Sequence, residues 1–272
     1  MKALRLAGAT ILMSLGVLAT TGTVYASEGL LQLTMAWWQW MFSIPSSVHP
    51  LSFKASDPTG AKYCMVGQQG DVWFLGGQFK VVDVPSVMGR QSGGLRAAAI
   101  VPVVVERECT IPLGHTILIP VLNGECNTAE ELALDNPVPP DLKDKTRFLR
   151  NCAKTLGDAV ARDTASARFG PVVDGVWNPK PVTIKRSHTS VPFSITYAPD
   201  NVISSDCSGG PSPFLCQPDP NPSLAQIDGY WATVRPPNGP GTYRLETFGE
   251  APEFDFALRI IYTLTVVAPE NQ

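Results

Sequence analysis

Alternation of apolar and polar side chains dominates the C-terminal end of the chain. In FDFALRIIYTLTVV, Phe254, Phe256, Leu258, Ile260, Tyr262, Leu264 and Val266 alternate with Asp255, Ala257, Arg259, Ile261, Thr263 and Thr265. A period of two held this long places one row on a core and predicts a half-buried strand, bent or broken once at most. GTYRLETF repeats the pattern just upstream, with Tyr243 and Leu245 inward and Arg244 and Glu246 outward, so the two segments are expected to pair as an antiparallel hairpin turning at GEAPE. Shorter runs recur at Val72 to Leu75, Ala98 to Val105, Thr116 to Leu122, Val182 to Lys185 and Val191 to Tyr197. Most are β-branched and bounded by Gly, Pro or Asp-Gly, which favours strands. Thr116 to Leu122 is apolar on both faces and belongs in the middle of a sheet, while Asp174-Gly175 in PVVDGVW supplies the positive φ of a tight hairpin turn.

Helical spacing appears in three places. From Leu30 to Ile44, Leu30, Leu33, Trp37, Met41 and Ile44 form one stripe and Leu31, Met35, Trp38 and Phe42 another. A helix apolar nearly all round is buried or partnered, and this one is too short for the roughly 20 apolar residues of a bilayer span. Thr128-Ala129-Glu130-Glu131 fits a capping box opening a short helix. After NPVPPD, Leu149, Cys152, Ala153, Leu156 and Val160 share one face of a second. The stretch from Pro199 to Ile227 is rich in Pro, Ser, Gly, Asp and Asn and reads as a long loop.

Together these predict two packed antiparallel sheets. The expected fold is an antiparallel β-sandwich, immunoglobulin-like or jelly-roll-like, with an N-terminal aromatic helix, a helical insertion at about 127–168 and a loop at about 199–227. Glycine and proline, 23 and 25 of 272 residues, exceed average usage and agree with many turns between short elements. Gly241-Thr242-Tyr243, entering a late strand after a Pro-Gly turn, resembles the tyrosine corner of immunoglobulin-like sandwiches over the last fifth of the chain.

Residues 1–26 show Lys2 and Arg5, an apolar run from Leu6 to Ala19, and small residues before Ala26. That is the pattern of a secretory signal peptide, leaving one domain over 27–272 with no membrane span. Without Lys2 and Arg5, 19 basic residues face 24 acidic ones, a net charge of about −5. Both signs are scattered, so no nucleic-acid partner is expected. Six cysteines in an exported chain predict three disulfides out of 15 formal pairings. Cys207 and Cys216 flank a loop of small residues, Cys126 and Cys152 bound one polar excursion, and Cys64 is left to join Cys109.

In order along the chain, WWQWMFSIP, DPTGAKYCMVGQQGDVWFLGG, RECTIPLGHTILIPVLN, FSITYAPDN and DGYWATVRPPNGPGTYRL resemble a family of uncharacterised exported bacterial proteins with a Trp-rich start. The resemblance spans most of the mature chain and implies export. It carries no catalytic residues, and His49-Pro50 stands where the family pattern has Asn-Pro.

Candidate chemistry is sparse. Neither Gly-x-Ser-x-Gly nor Ser-x-x-Lys occurs, and Ser92 lacks a strand-to-helix elbow. His115 is read as satisfied by a backbone carbonyl, and His49 and His188 lie in loop-like sequence. Glu106, Glu108, Glu125, Asp71 and Asp228 are the acids from which a glycosidase pair would be drawn. Asp200, Asp206, Asp219 and Asn221 match no calcium-loop spacing, and no metal or cofactor is expected. AWWQWMF is read chiefly as core, its indole N–H groups finding carbonyls. Trp38 and Trp40 are expected to reach the surface as a binding platform for a glycan or another envelope protein. The function expected is a non-catalytic, exported, disulfide-bonded binding or envelope-associated module. The rivals are a secreted carboxylate-dependent glycoside hydrolase and a structural subunit of an extracellular assembly.

Overall fold

The computed structural model describes residues 29–51, 57–78, 100–134, 136–201, 220–236 and 239–268. The expected leader at residues 1–26, Ser92, Asp206, Asp219 and the expected Cys207–Cys216 bridge lie outside them. The alternating segments become strands: β1 Val72–Phe74, β2 Val103–Pro112, β3 Thr116–Asn127, β4 Ser166–Val173, β5 Val176–Trp177, β6 Lys180–Pro181, β7 Ile184–His188, β8 Phe193–Ile195, β9 Ser223–Val234, β10 Gly241–Ala251 and β11 Phe256–Val267. The helices are α1 Leu30–Ser43, α2 Thr128–Ala133 and α3 Leu142–Asp158.

The strands form two sheets, one in the order β1-β3-β9-β7 with β8 also on β9, the other β2-β11-β10-β4-β5 with β6 also on β4. The sandwich is mainly β, as the alternation predicts. Two pairings nevertheless run parallel, β1 with β3 and β2 with β11, so the sheets are mixed where antiparallel pairing was expected throughout. Local alternation tells which side chains share a face and is silent on the direction of a partner from a distant part of the chain.

Three local expectations survive with shifted boundaries. The β10–β11 hairpin pairs Ala251 with Phe256, and its turn is a short 3₁₀ segment, Pro252–Phe254, closed by Asp255 at φ 48°; Phe254 therefore leaves the alternating row. Asp174 and Gly175 have φ of 51° and 77°, the twist that lets Val173 pair with Val176. Tyr243 donates to the Gly239 carbonyl at 2.9 Å, so the bond back to the upstream backbone that marks a tyrosine corner is present. The expected loop ends earlier, because β9 begins at Ser223.

The interior divides by strand parity. Trp73, Ile117 and Ile119 face the second sheet, where Val105, Ile111, Leu245, Leu258, Ile260 and Leu264 meet them. Val72, Phe74, Leu118 and Trp231 face the other way, against α1. β3 is thus apolar on both faces because both are covered. Two disulfides close as the spacing predicts, Cys64 with Cys109 and Cys126 with Cys152; among the described residues no cysteine is free. The second fastens α3 to the end of β3 and closes a loop whose restriction contributes on the order of 3 kcal/mol.

Helix α3 lies close on the sheet because Gly124 leaves room: a Cβ there would stand 2.4 Å from Cβ of Leu156. Gly124→Ala is expected to push α3 outward and to cost about 1–3 kcal/mol, the range for overpacking a filled interior. Urea unfolding measures it, and an unchanged midpoint would mean that the helix is not held at this distance.

Candidate ligand cavity and its carboxyl pair

Helix α1 settles the role of the tryptophans. Trp38 and Trp40 are 5% and 6% exposed, so neither forms the surface platform expected of it; the exposed position on that turn is Gln39, whose amide donates to the Ser194 carbonyl at 3.0 Å. The correction follows from the helix being covered by sheet on one side and by the segments around Leu51 and Val66 on another, which leaves no open side for either ring. Trp37 and Trp40 find the carbonyls expected of indole N–H groups, Trp37 donating to Leu75 O at 2.7 Å and Trp40 to Val66 O at 3.0 Å. Trp37 and Trp38 meet edge to face at 86°, and Trp38 stacks on Phe42 with centroids 5.6 Å apart.

Trp37, Trp38 and Phe42 form one wall of a cavity of about 150 Å³. Pro120 to Cys126 of β3 line a second wall and Leu258 and Ile260 of β11 a third. Half-exposed Gln78, Leu134 and Phe254 mark its mouth. A cavity of this volume admits one ring of benzene size.

Its polar end is built by Asn127. This residue caps α2, its Oδ1 accepting from the backbone N–H of both Ala129 and Glu130 at 3.0 Å, while its Nδ2 donates to Glu125 Oε2 at 3.1 Å. The capping residue is therefore one position upstream of the expected Thr128, whose hydroxyl pairs instead with Ser223 at 2.8 Å. One consequence is that Glu130 faces the cavity beside Glu125. Glu130 Oε1 accepts from the hydroxyl of Tyr197 at 2.9 Å. Glu131 completes the acidic lining; its Oε2 accepts from Asn136 at 2.8 Å, and its Oε1 lies 3.2 Å from Sγ of Cys152, a disulfide sulfur with no proton to donate.

Burial, and then the neighbouring charges of Glu130 and Glu131, hold the Glu125 carboxyl well above its ordinary range despite the Asn127 bond. Burial raises Glu130 to about 7, opposed by its bonds with Tyr197 and Asn127. Both effects are desolvation of a charge in an apolar wall. The Tyr197 hydroxyl is also raised well above its usual value, by burial first and the two carboxyls next, so it remains a donor.

The other expected acids do not converge here. Glu106, Glu108 and Asp71 are exposed on the surface. Asp228 is buried but is held by Arg186, whose guanidinium donates to its two oxygens at 2.6 and 2.8 Å. Asn221 is engaged by the backbone of Tyr197 through both ends of its amide. His115 finds its expected carbonyl, Nδ1 donating to Pro112 O at 3.0 Å, and His188 is exposed. His49 is fully buried, with Nε2 2.8 Å from Met41 O and Nδ1 3.0 Å from Leu51 N. An amide N–H can only donate, so Nδ1 is bare and Nε2 carries the proton. Among the described residues, one set of three metal-ligating groups comes within 4.8 Å, Cys126, Glu131 and Cys152, and its two sulfurs are joined to each other.

Sequence reasoning singled out Glu125 and missed Glu130 and Glu131 as site residues, because both read fully as capping acids. Asn127 three residues before Glu130 is the signal that places the cap correctly. No protein-family model, curated protein or solved structure matches the chain. Among the described residues no helix is long and apolar enough to cross a membrane, and two closed disulfides fit an oxidising compartment.

Proposed function

We propose that this is an exported, non-catalytic binding protein that takes a small molecule of about one ring into the cavity between its sheets. The observation that carries the reading is the cavity itself: apolar and aromatic along its walls, with carboxyl groups at one end, the composition of a small-molecule site. Export rests on the leader-like start, the family resemblance and the disulfides. A glycan polymer laid across surface tryptophans is no longer the preferred ligand, since Trp38 and Trp40 are interior.

The neighbouring carboxyls Glu125 and Glu130 also favour the hydrolase as a second reading, because a pair with raised affinity for protons is what acid catalysis uses. A glycosidase, however, seats sugar on both sides of the bond it cuts, and about 150 Å³ holds one ring.

Leu134→Trp tests the binding reading. A larger side chain at the mouth is expected to block uptake of one-ring probes, seen as loss of the Trp37 and Trp38 fluorescence change on titration, with the circular dichroism spectrum preserved. Unaltered uptake through the blocked mouth would remove this cavity as the site.

A further inference from the structure

The cavity contains an unmatched acceptor. Glu125 is 8% exposed, and while its Oε2 takes the Asn127 amide, its Oε1 is buried without a hydrogen-bond partner. Buried polar side-chain atoms are paired in the large majority of cases, so Oε1 is an acceptor that a donor entering the cavity would meet. Three glutamates line the cavity, and no lysine, arginine or histidine is among its described lining residues.

Resting on the cavity-binding reading, we propose that the ligand is an organic ammonium ion whose N–H groups face Glu125 and Glu130 and whose apolar body lies against Trp37, Trp38 and Phe42. An ammonium supplies both the donor that Glu125 Oε1 lacks and the charge that the lining does not balance. Aromatic rings in the wall suit it further, since a desolvated cation is attracted to them. A metal ion fits less well: Glu125, Glu130 and Glu131 do not bring three oxygens within 4.8 Å of one another, and the apolar walls offer no replacement for its hydration shell. A carboxylate ligand would face three carboxyl groups with no cationic side chain among the lining, and an alcohol would supply one donor and no charge.

Proton balance follows from the same groups. The titratable neighbours are Glu125, Glu130, Glu131 and the Tyr197 hydroxyl, which stays protonated. In the empty cavity near neutral pH the carboxyl pair retains a proton. Entry of the cation favours the ionised pair, so that O–H bond breaks and its proton passes to the buffer. Binding is therefore expected to tighten as pH rises through about 7.

The test titrates the full exported chain, disulfides closed, with benzylamine, benzyl alcohol and benzoate by calorimetry. At about pH 8 the amine is expected to bind about ten-fold tighter than the alcohol, as one charge-assisted bond implies, and benzoate not at all. Amine affinity should fall about ten-fold at about pH 5, with proton release visible in buffers of different ionisation enthalpy. Glu125→Gln should bring the amine to the level of the alcohol measured on the same variant. Equal affinities for amine and alcohol in the native chain would overturn the ammonium inference while leaving the cavity reading intact; no binding by any of the three would overturn both. Should the variant fail to fold, equal amine affinity at the two pH values suffices to sink the inference.

Discussion

Replacing Arg107 by Met is expected to cost about 3 kcal/mol, the sum of several carbonyls left without donors less the desolvation recovered on removing a buried charge. The side chain is 2% exposed and donates to Pro50 O at 2.9 Å, Leu51 O at 3.3 Å and Gly77 O at 3.1 Å. These bonds tie the segment after α1 to the one after β1, and Leu51 and Gly77 both line the cavity. Tyr262, opposite Arg107 on β11, reinforces the same place, its hydroxyl accepting from Gly76 N at 3.1 Å and donating to Gly76 O at 2.7 Å. Met fills much of the volume without serving any of the carbonyls, so the loss is electrostatic and not a cavity effect. For a chain of this size the thermal midpoint should drop by roughly 6–12 °C. Arg259→Met is the control: its bond to Glu246 is 2.6 Å long, but the arginine side chain is 44% exposed, and such pairs are worth about 1 kcal/mol or less. Similar losses in the two variants would mean that the buried guanidinium does not organise these segments.

The second large effect is a stability profile set by opposed buried groups. Glu125 and Glu130 bind their protons more tightly in the native chain than when unfolded. Their contribution is complete below the ordinary glutamate range and is lost as pH rises through about 7. His49 works in the opposite sense. Burial lowers it from 6.5 to about 4 against the Met41 bond, so its contribution is complete above 6.5 and is lost as pH falls toward 4. Each of Glu130 and His49 contributes up to roughly 3 kcal/mol, the Glu130 share reduced by its partial exposure. Between about pH 4.5 and 6.5 two carboxyl slopes oppose one imidazole slope, so the urea midpoint should fall gently as pH rises; above 6.5 only the carboxyl slopes remain and the decline should steepen. Glu125→Gln leaves one carboxyl against His49 and is expected to level the profile between about pH 4.5 and 6.5 and to halve the decline above it. A variant with the native slope above pH 6.5 would show that Glu125 is not the group responsible.

Those two effects depend on residues whose importance the sequence leaves nearly invisible. Arg107 occupies an inward position in the alternating run VVVERECTIP, but a single charge in a strand gives no hint of the carbonyls gathered around it. His49 sits in a loop-like stretch, and its burial depends on α1 folding back so that Met41 O and Leu51 N reach the two ring nitrogens. Glu130 and Glu131 have a complete local explanation as capping acids, which conceals that α2 turns one of them toward Glu125.

Short-range order was legible in the chain itself. Period-two alternation from Phe256 to Val266 determines β11, Asp174-Gly175 determines its turn, helical spacing determines α1 and α3, and cysteine spacing determines the Cys64–Cys109 and Cys126–Cys152 pairs. Each depends on neighbours a few residues apart or on the bounds of one loop. The docking of α1, the parallel seating of β2 on β11 and the meeting of Glu125, Glu130 and the tryptophans arise only in the tertiary structure. An apolar helix face or a strand edge specifies that it must be covered, whereas the identity of the cover depends on packing between distant segments, and so does the seating of Glu125 Oε1 in the cavity.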